Sequence, residues 1–295
     1  MIVVPEAFAA STIAREGDTG RAWVAALPGV VESLCKRWKL AVEGAPMHGY
    51  VGVVVPVRRG AEPFALKVSY PDDDSAGGAP ALAAWDGDGA VRLVEADHET
   101  WAMLLERLDH TRTLATAPAR EAISVAARLM RRLAIPAVGT GFQTMDDRLA
   151  AIRRLIPERW AEFGEPFPRP VLERAIEATT IPVRASLLVD WDLHYDNVLA
   201  GTREPWLVVD PKVVVGDPEF GLAQLFYNRA AASEGLGFAE QFAIAVEAAE
   251  ADAALATEWT LVRCVDVGLW CLSAGLTTMA AWCFEVAEAI DGHPW

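Results

Sequence analysis

The chain has 295 residues, 53% of them hydrophobic and 23% charged, which supplies a large core and excludes an intrinsically disordered chain. A formal net charge of −15 leaves no basic surface for phosphate backbones, so no nucleic-acid partner is expected, whereas a cationic small molecule is compatible with it. Met1 to Glu6 lacks the basic and apolar regions of a secretory signal, and the apolar stretch near Val265 to Leu276 contains Asp266 and is too short to span a bilayer. A soluble, cytoplasmic protein with no membrane partner, a monomer or weak dimer, is expected.

Along the chain, Trp23, Leu27, Val31, Leu34 and Trp38 recur at helical spacing and predict a helix over 20–40. Residues 38–70 change character: Gly44, Gly49, Gly52 and Gly60 punctuate runs such as Val51 to Val57 and Phe64 to Tyr70, which predicts a β-meander. In the last run Phe64, Leu66, Val68 and Tyr70 share one face and Lys67 takes the other. A polar loop (Pro71 to Gly78), a short helix (Ala81 to Trp85) and two strands (Val91 to Val94 and Trp101 to Glu106) follow. Beyond Leu108 the pattern turns helical over 118–134, 143–156, 170–178, 218–232, 237–256 and 257–274, interrupted at 186–215 by short β runs. Cys35, Cys264, Cys271 and Cys283 form no C-x-x-C and read as reduced, buried thiols. The pattern divides into residues 1–105, β-rich with a leading helix, a hinge at 106–110, and a helical part over 111–295, an α+β, two-lobed layout with its cleft near 105–110.

The chemistry concentrates in the interruption. Asp192 and Asn197 stand five apart in Asp190-Trp-Asp-Leu-His-Tyr-Asp-Asn-Val-Leu199, and Asp210 ends the run Trp206 to Asp210. Phosphoryl transfer asks for this kit: a carboxylate to orient a hydroxyl (Asp192), a neutral and an anionic oxygen for Mg²⁺ (Asn197 and Asp210), and a cation on the phosphates. Taken singly, each Asp also suits a simple turn. Lys67 is the candidate phosphate cation in a chain with 22 Arg and only four Lys, although a solvated strand lysine fits the same pattern. Lys212 reads as a surface lysine. The glycines of Met47 to Gly52 suit a turn over phosphates or an ordinary hairpin, and His194 reads as orienting the loop rather than ligating metal.

The chain resembles the aminoglycoside phosphotransferase superfamily, in its streptomycin 6-phosphotransferase and hydroxyurea phosphotransferase branch. The matching blocks are Gly20 to Pro28, Phe64-Ala-Leu-Lys-Val68, Ala84 to Leu93, Met103-Leu-Leu-Glu-Arg107, Trp191 to Leu199, Arg203 to Leu207, Asp210-Pro-Lys212 and Gly216-Asp-Pro218. The resemblance implies a two-lobed protein-kinase-like fold with a β-rich N-lobe and a mainly helical C-lobe. ATP and Mg²⁺ are the implied cofactors: Asp192 would be the catalytic base, Asn197 and Asp210 would hold Mg²⁺, and Lys67 would contact the nucleotide phosphates. Glu106, Arg107 and Leu108 would meet the adenine, and Asp217 would brace the catalytic loop. Three departures stand out: Asp190 replaces a histidine usual two residues before the base, no Glu lies near Gly78 to pair with Lys67 (Asp72, Asp73 and Asp74 are the acids at hand), and Gly221 replaces a common Asp.

The implied activity is transfer of the ATP γ-phosphate to a hydroxyl of a streptomycin-type aminoglycoside, an antibiotic inactivation. A guanidinium-bearing sugar would suit the acidic chain, with Asp190 and Asp196 as candidate substrate contacts. Another small alcohol or a hydroxyurea-like hydroxyl, and a non-catalytic nucleotide-binding pseudokinase, are the alternative readings.

Overall fold

The computed structural model describes residues 2–139, 141–228 and 235–292. The chain divides into two compact units, Met1–Leu108 and Asp109–Trp295, a division that falls between Leu108 and Asp109.

The first unit opens with α1 (Glu6–Arg37), longer at its N-terminus than the expected 20–40 and bent at Gly17, whose φ of 63° and ψ of −133° only glycine adopts readily. The helix gained ahead of the bend, Glu6 to Glu16, buries only Phe8 and Thr12, too sparse a stripe for apolar periodicity to register. Then come β1 (Ala41–Val42), β2 (Met47–His48), β3 (Gly52–Arg59), β4 (Glu62–Ser69), α2 (Gly78–Trp85), β5 (Leu93–Asp97) and β6 (Ala102–Glu106). The strands form one six-stranded antiparallel sheet in the order β1-β3-β4-β6-β5, with β2 on β3. Leu27, Val31 and Leu34 of α1 join Val53, Val55, Val57, Phe64, Leu66 and Val68 in one core. A fully buried Val or Leu contributes about 1.5–3 kcal/mol, so this face holds the unit together. The alternation sends Lys67 to the other face, in register with Val54 and Met103, where it is nonetheless buried at 6% exposure.

The second unit runs through β7 (Asp109–Thr113), α3 (Ala119–Leu133), β8 (Gln143–Thr144), α4 (Met145–Glu162), α5 (Arg169–Ala178), β9 (Leu187–Asp190), β10 (Val198–Ala200), β11 (Leu207–Val208), β12 (Val213–Gly216), α6 (Gln224–Tyr227), α7 (Phe238–Ala249), α8 (Ala253–Ser273) and α9 (Thr277–Asp291). The helix expected over 218–232 is a 3-10 turn at Pro218–Gly221 followed by the one-turn α6, and the part of that expectation over 229–232 lies outside the described residues. The break expected at 256/257 comes earlier, at 250–252. Glu250 turns left-handed (φ 53°), and the Asp252 carboxylate caps the next helix by accepting from the N–H groups of Ala254 and Leu255. Helix α9 has no counterpart in the expected elements. It lays Cys283, Phe284, Ala287 and Ile290 inward and packs on α8. Trp259 is fully buried, whereas Trp270 is exposed. All four cysteines are free, with three of them buried and Cys35 partly so. Among the described residues, no helix is long and apolar enough to cross a membrane.

Two small sheets carry the loop of interest: β11-β10-β7, and β8-β12-β9 with β12 antiparallel to β9. Gly17→Ala forces a side chain into a backbone region closed to L-residues and is expected to destabilise the chain by about 1–3 kcal/mol. Urea melts of the variant against the parent read this directly; an unchanged midpoint refutes it.

Candidate active site

The 186–215 segment folds as two antiparallel pairs. Val198 faces Val208, and the N–H of Val209 donates to the Asn197 carbonyl at 2.8 Å, so Asp210 follows directly beside Asn197. Val213 faces Asp190, and the Trp191 N–H donates to the Lys212 carbonyl at 3.0 Å, which sets the loop from Asp190 to Asn197 beside the residues that follow Asp210. Asp192, Asn197 and Asp210 are thus brought to one place by backbone pairing alone.

Asp192 is held at both oxygens. Its Oδ1 accepts from Gln224 Nε2 at 2.6 Å and its Oδ2 lies 3.1 Å from Lys212 Nζ. Gln224 is oriented in turn: Asn228 Nδ2 donates to its Oε1, so the amide nitrogen is the atom left to face Asp192. Helix α6, which carries Gln224, is fastened to the loop by the Tyr195 hydroxyl, which donates to the Leu225 carbonyl at 2.8 Å. Asn197 donates its Nδ2 to the Asp192 carbonyl at 3.3 Å, which leaves its Oδ1 as an acceptor, and its N–H donates to the His194 carbonyl across a 3-10 turn. His194 therefore contributes through its backbone. Asp210 sits in the left-handed region at φ 53°, a conformation that Asp tolerates better than most residues and that clusters at functional sites.

Asp190, expected at the substrate, is buried at 5% exposure. Its Oδ1 accepts from the N–H groups of Asp192 (3.1 Å) and Lys212 (3.2 Å), tying the loop to the segment after Asp210. Burial, then the negative charge of Asp192, raises its carboxyl well above the ordinary 3.8. Asp196 is exposed and accepts from the Thr113 hydroxyl at 3.3 Å. Asp217, expected to brace the catalytic loop, is 1% exposed and accepts from the N–H groups of Arg184 (2.9 Å) and Ala185 (2.8 Å), so it braces the entry to β9 instead. Gly221 explains its own departure from the family pattern: a Cβ there would lie 2.8 Å from the Asp190 carbonyl oxygen. Trp191 is buried beside three cations, with the Arg148 guanidinium 3.7 Å, the Arg263 guanidinium 4.7 Å and Lys212 Nζ 5.7 Å from its ring centroid. Arg263, fully buried on α8, also donates to the Trp191 carbonyl at 3.4 Å.

In the first unit, the Asp72 carboxylate caps the turn Asp73–Ser75 through Asp74 N–H and Ser75 Oγ. Glu106 accepts from the Arg92 N–H at 2.9 Å. Arg107 is a sheet staple, donating to the carbonyls of Phe64 (2.8 Å) and Val57 (2.7 Å) and to Glu43 (2.9 Å). Leu108 closes the unit, half-buried.

A family model described as aminoglycoside/hydroxyurea antibiotic resistance kinase matches residues 37–275. The chain belongs to that family. It is 36% identical to streptomycin 6-kinase of Streptomyces griseus over 98% of this chain and 97% of that protein. It is 39% identical to hydroxyurea phosphotransferase of Kitasatospora aureofaciens over 94% of this chain and 82% of the relative. Its fold matches a thermostable mutant of aminoglycoside phosphotransferase APH(4)-Ia in ternary complex with ADP and hygromycin B (TM-score 0.62, 16% identity, 88% of this chain and 96% of that one). Choline kinase LicA of Streptococcus pneumoniae matches as well (TM-score 0.58, 10% identity, 90% and 99%). The fold is protein-kinase-like, a β-sheet unit and a helical unit, and the reaction class of this kinase family is phosphoryl transfer to an alcohol acceptor.

The donors of the loop can be weighed against a hard divalent cation. Among the described residues no cluster of three or more His, Cys, Asp or Glu could hold a metal unaided. Asn197 and Asp210 offer one amide and one carboxylate oxygen, a pair suited to Mg²⁺, which prefers hard oxygens and fills its sphere with phosphate and water.

Asp190→Asn keeps an oxygen for both N–H groups and removes the buried acid. Because the folded-state value is raised, the parent loses stability as pH climbs above about 4, where the unfolded Asp ionises and the folded one resists. The melting-temperature difference, variant minus parent, is therefore expected to grow between pH 4 and pH 8; a flat difference refutes it.

Proposed function

We propose that the chain transfers the γ-phosphate of ATP, with Mg²⁺, to a hydroxyl of a streptomycin-type aminoglycoside in the cytoplasm. The observation that carries this reading is the setting of Asp192: a carboxylate fixed at both oxygens, on a loop whose next polar members are Asn197 and Asp210. Asn197 and Asp210 would hold Mg²⁺, which when bound would supply positive charge against that of the nucleotide phosphates. Asp192 orients the acceptor hydroxyl and takes its proton as the oxygen attacks phosphorus. Lys67, the buried strand lysine, contacts the nucleotide phosphates as a compact cation, and the 106–108 segment meets the adenine. The streptomycin 6-kinase similarity, which spans nearly the whole of both chains, supports the acceptor class, and the acidity of the chain suits a guanidinium-bearing sugar. The similarity to hydroxyurea phosphotransferase, 39% identical over 94% of this chain, favours a second reading, in which a hydroxyurea-like hydroxyl is the acceptor.

The deciding experiment measures ADP release from ATP and Mg²⁺ with streptomycin, with hydroxyurea and with neither. Streptomycin-dependent release, with formation of a phosphorylated product, is the expected result; release only with hydroxyurea moves the proposal to the second acceptor. Asp192→Asn is expected to lower kcat by about 10²–10⁴-fold, the span that general-base catalysis supplies. Lys67→Met removes one charge-assisted contact and is expected to weaken ATP binding by about 10–100-fold, read by titration calorimetry. Undiminished affinity would take Lys67 out of the nucleotide site.

A further inference from the structure

We propose that Lys212 and Gln224 act as a two-point clamp that sets the rotamer of Asp192 and leaves the free side of its carboxylate to the acceptor hydroxyl. The inference rests on the reading of Asp192 as the base. Three observations carry it. The ammonium of Lys212 lies 3.1 Å from Oδ2 and the amide of Gln224 2.6 Å from Oδ1, so each oxygen has one protein donor. An ionised carboxylate offers about four lone-pair sites, so two remain for the hydroxyl that Asp192 must receive. Lys212 is tied to the loop at both of its backbone groups, its N–H to Asp190 Oδ1 (3.2 Å) and its carbonyl to the Trp191 N–H (3.0 Å), so its Cα has little freedom to drift from the base. The pair is also shielded, with both side chains 21% exposed and the Trp191 ring 5.7 Å from the ammonium.

The residue type matters. Arginine would fork across both oxygens of a carboxylate and cover the lone pairs the hydroxyl needs, whereas an ammonium is a point donor that occupies one. In a chain with 22 Arg and four Lys, a lysine at this position is a departure from habit with a chemical reason. Lys212 is thus a positioning residue that acts through Asp192.

The scarcity of lysine makes the test direct. Protein labelled with ¹⁵N at lysine gives four side-chain Nζ resonances, from Lys36, Lys39, Lys67 and Lys212. The resonance lost in Lys212→Met is expected to be the one that moves in Asp192→Asn, and to move less in Gln224→Leu. A Lys212 resonance indifferent to Asp192→Asn overturns the clamp without reference to any acceptor. Kinetics with ATP and streptomycin form the second arm. Lys212→Met is expected to lower kcat by about 10–100-fold, with the KM for ATP and the calorimetric affinity for ADP within about twofold of the parent. In an Asp192→Asn background the same substitution is expected to cost less than about twofold, because its target is already gone. Losses that multiply in the double variant, or full kcat in Lys212→Met, overturn the proposal. Full kcat in Asp192→Asn alone removes the base assignment on which it rests, a different and separately visible result.

Discussion

The antiparallel pairing of β9 with β12, sealed by the buried carboxylate of Asp190, is the constraint on which the site depends. One oxygen of Asp190 accepts from the N–H of Asp192 and from that of Lys212, so a single side chain joins the Asp192 loop to the segment following Asp210. Loops that leave short strands are ordinarily the mobile parts of a fold. Here the loop is anchored by Asp190 at its start, by the β10–β11 pair at its end, and by Tyr195 to α6 in between. The cost is an acid held against its preference to ionise, a strain of the kind that functional sites retain.

Charge is arranged around that loop in a consistent way. The charges of Asp192 and Asp210 are both felt at Asp190, and three cations, Arg148, Arg263 and Lys212, surround the ring of Trp191 that lies between Asp190 and Asp192 in the chain. A buried guanidinium such as Arg263 is expensive unless its charge is answered, and the Trp191 and Phe220 rings, the Trp191 carbonyl and Asp266 answer it.

The local elements were readable because they follow from periodicity. Leu27, Val31 and Leu34 mark the buried stripe of α1, the alternation around Lys67 marks β4, and Ala119–Leu133 falls within the stretch its apolar spacing indicates. Boundaries failed where side chains or single backbone angles decide them, as at Asp252, whose cap moves a helix start by several residues. The Asp192, Asn197 and Asp210 motif was readable because the spacing of chemical groups along a loop survives in sequence.

Partnership across strands was not readable. Lys212 read as a surface lysine and Asp190 as a substrate contact, since neither the β9–β12 register nor burial is written in the order of residues. Gln224 and Asn228 carried no motif at all, and only the placement of α6 reveals them. By itself the sequence determined which chemical groups exist, their order, and the helices and strands whose period is local. Tertiary structure alone decided which carboxylate is buried and which is presented, because burial and hydrogen-bond partners such as Lys212 N–H on Asp190 (3.2 Å) and Gln224 on Asp192 (2.6 Å) come from residues far apart in the chain.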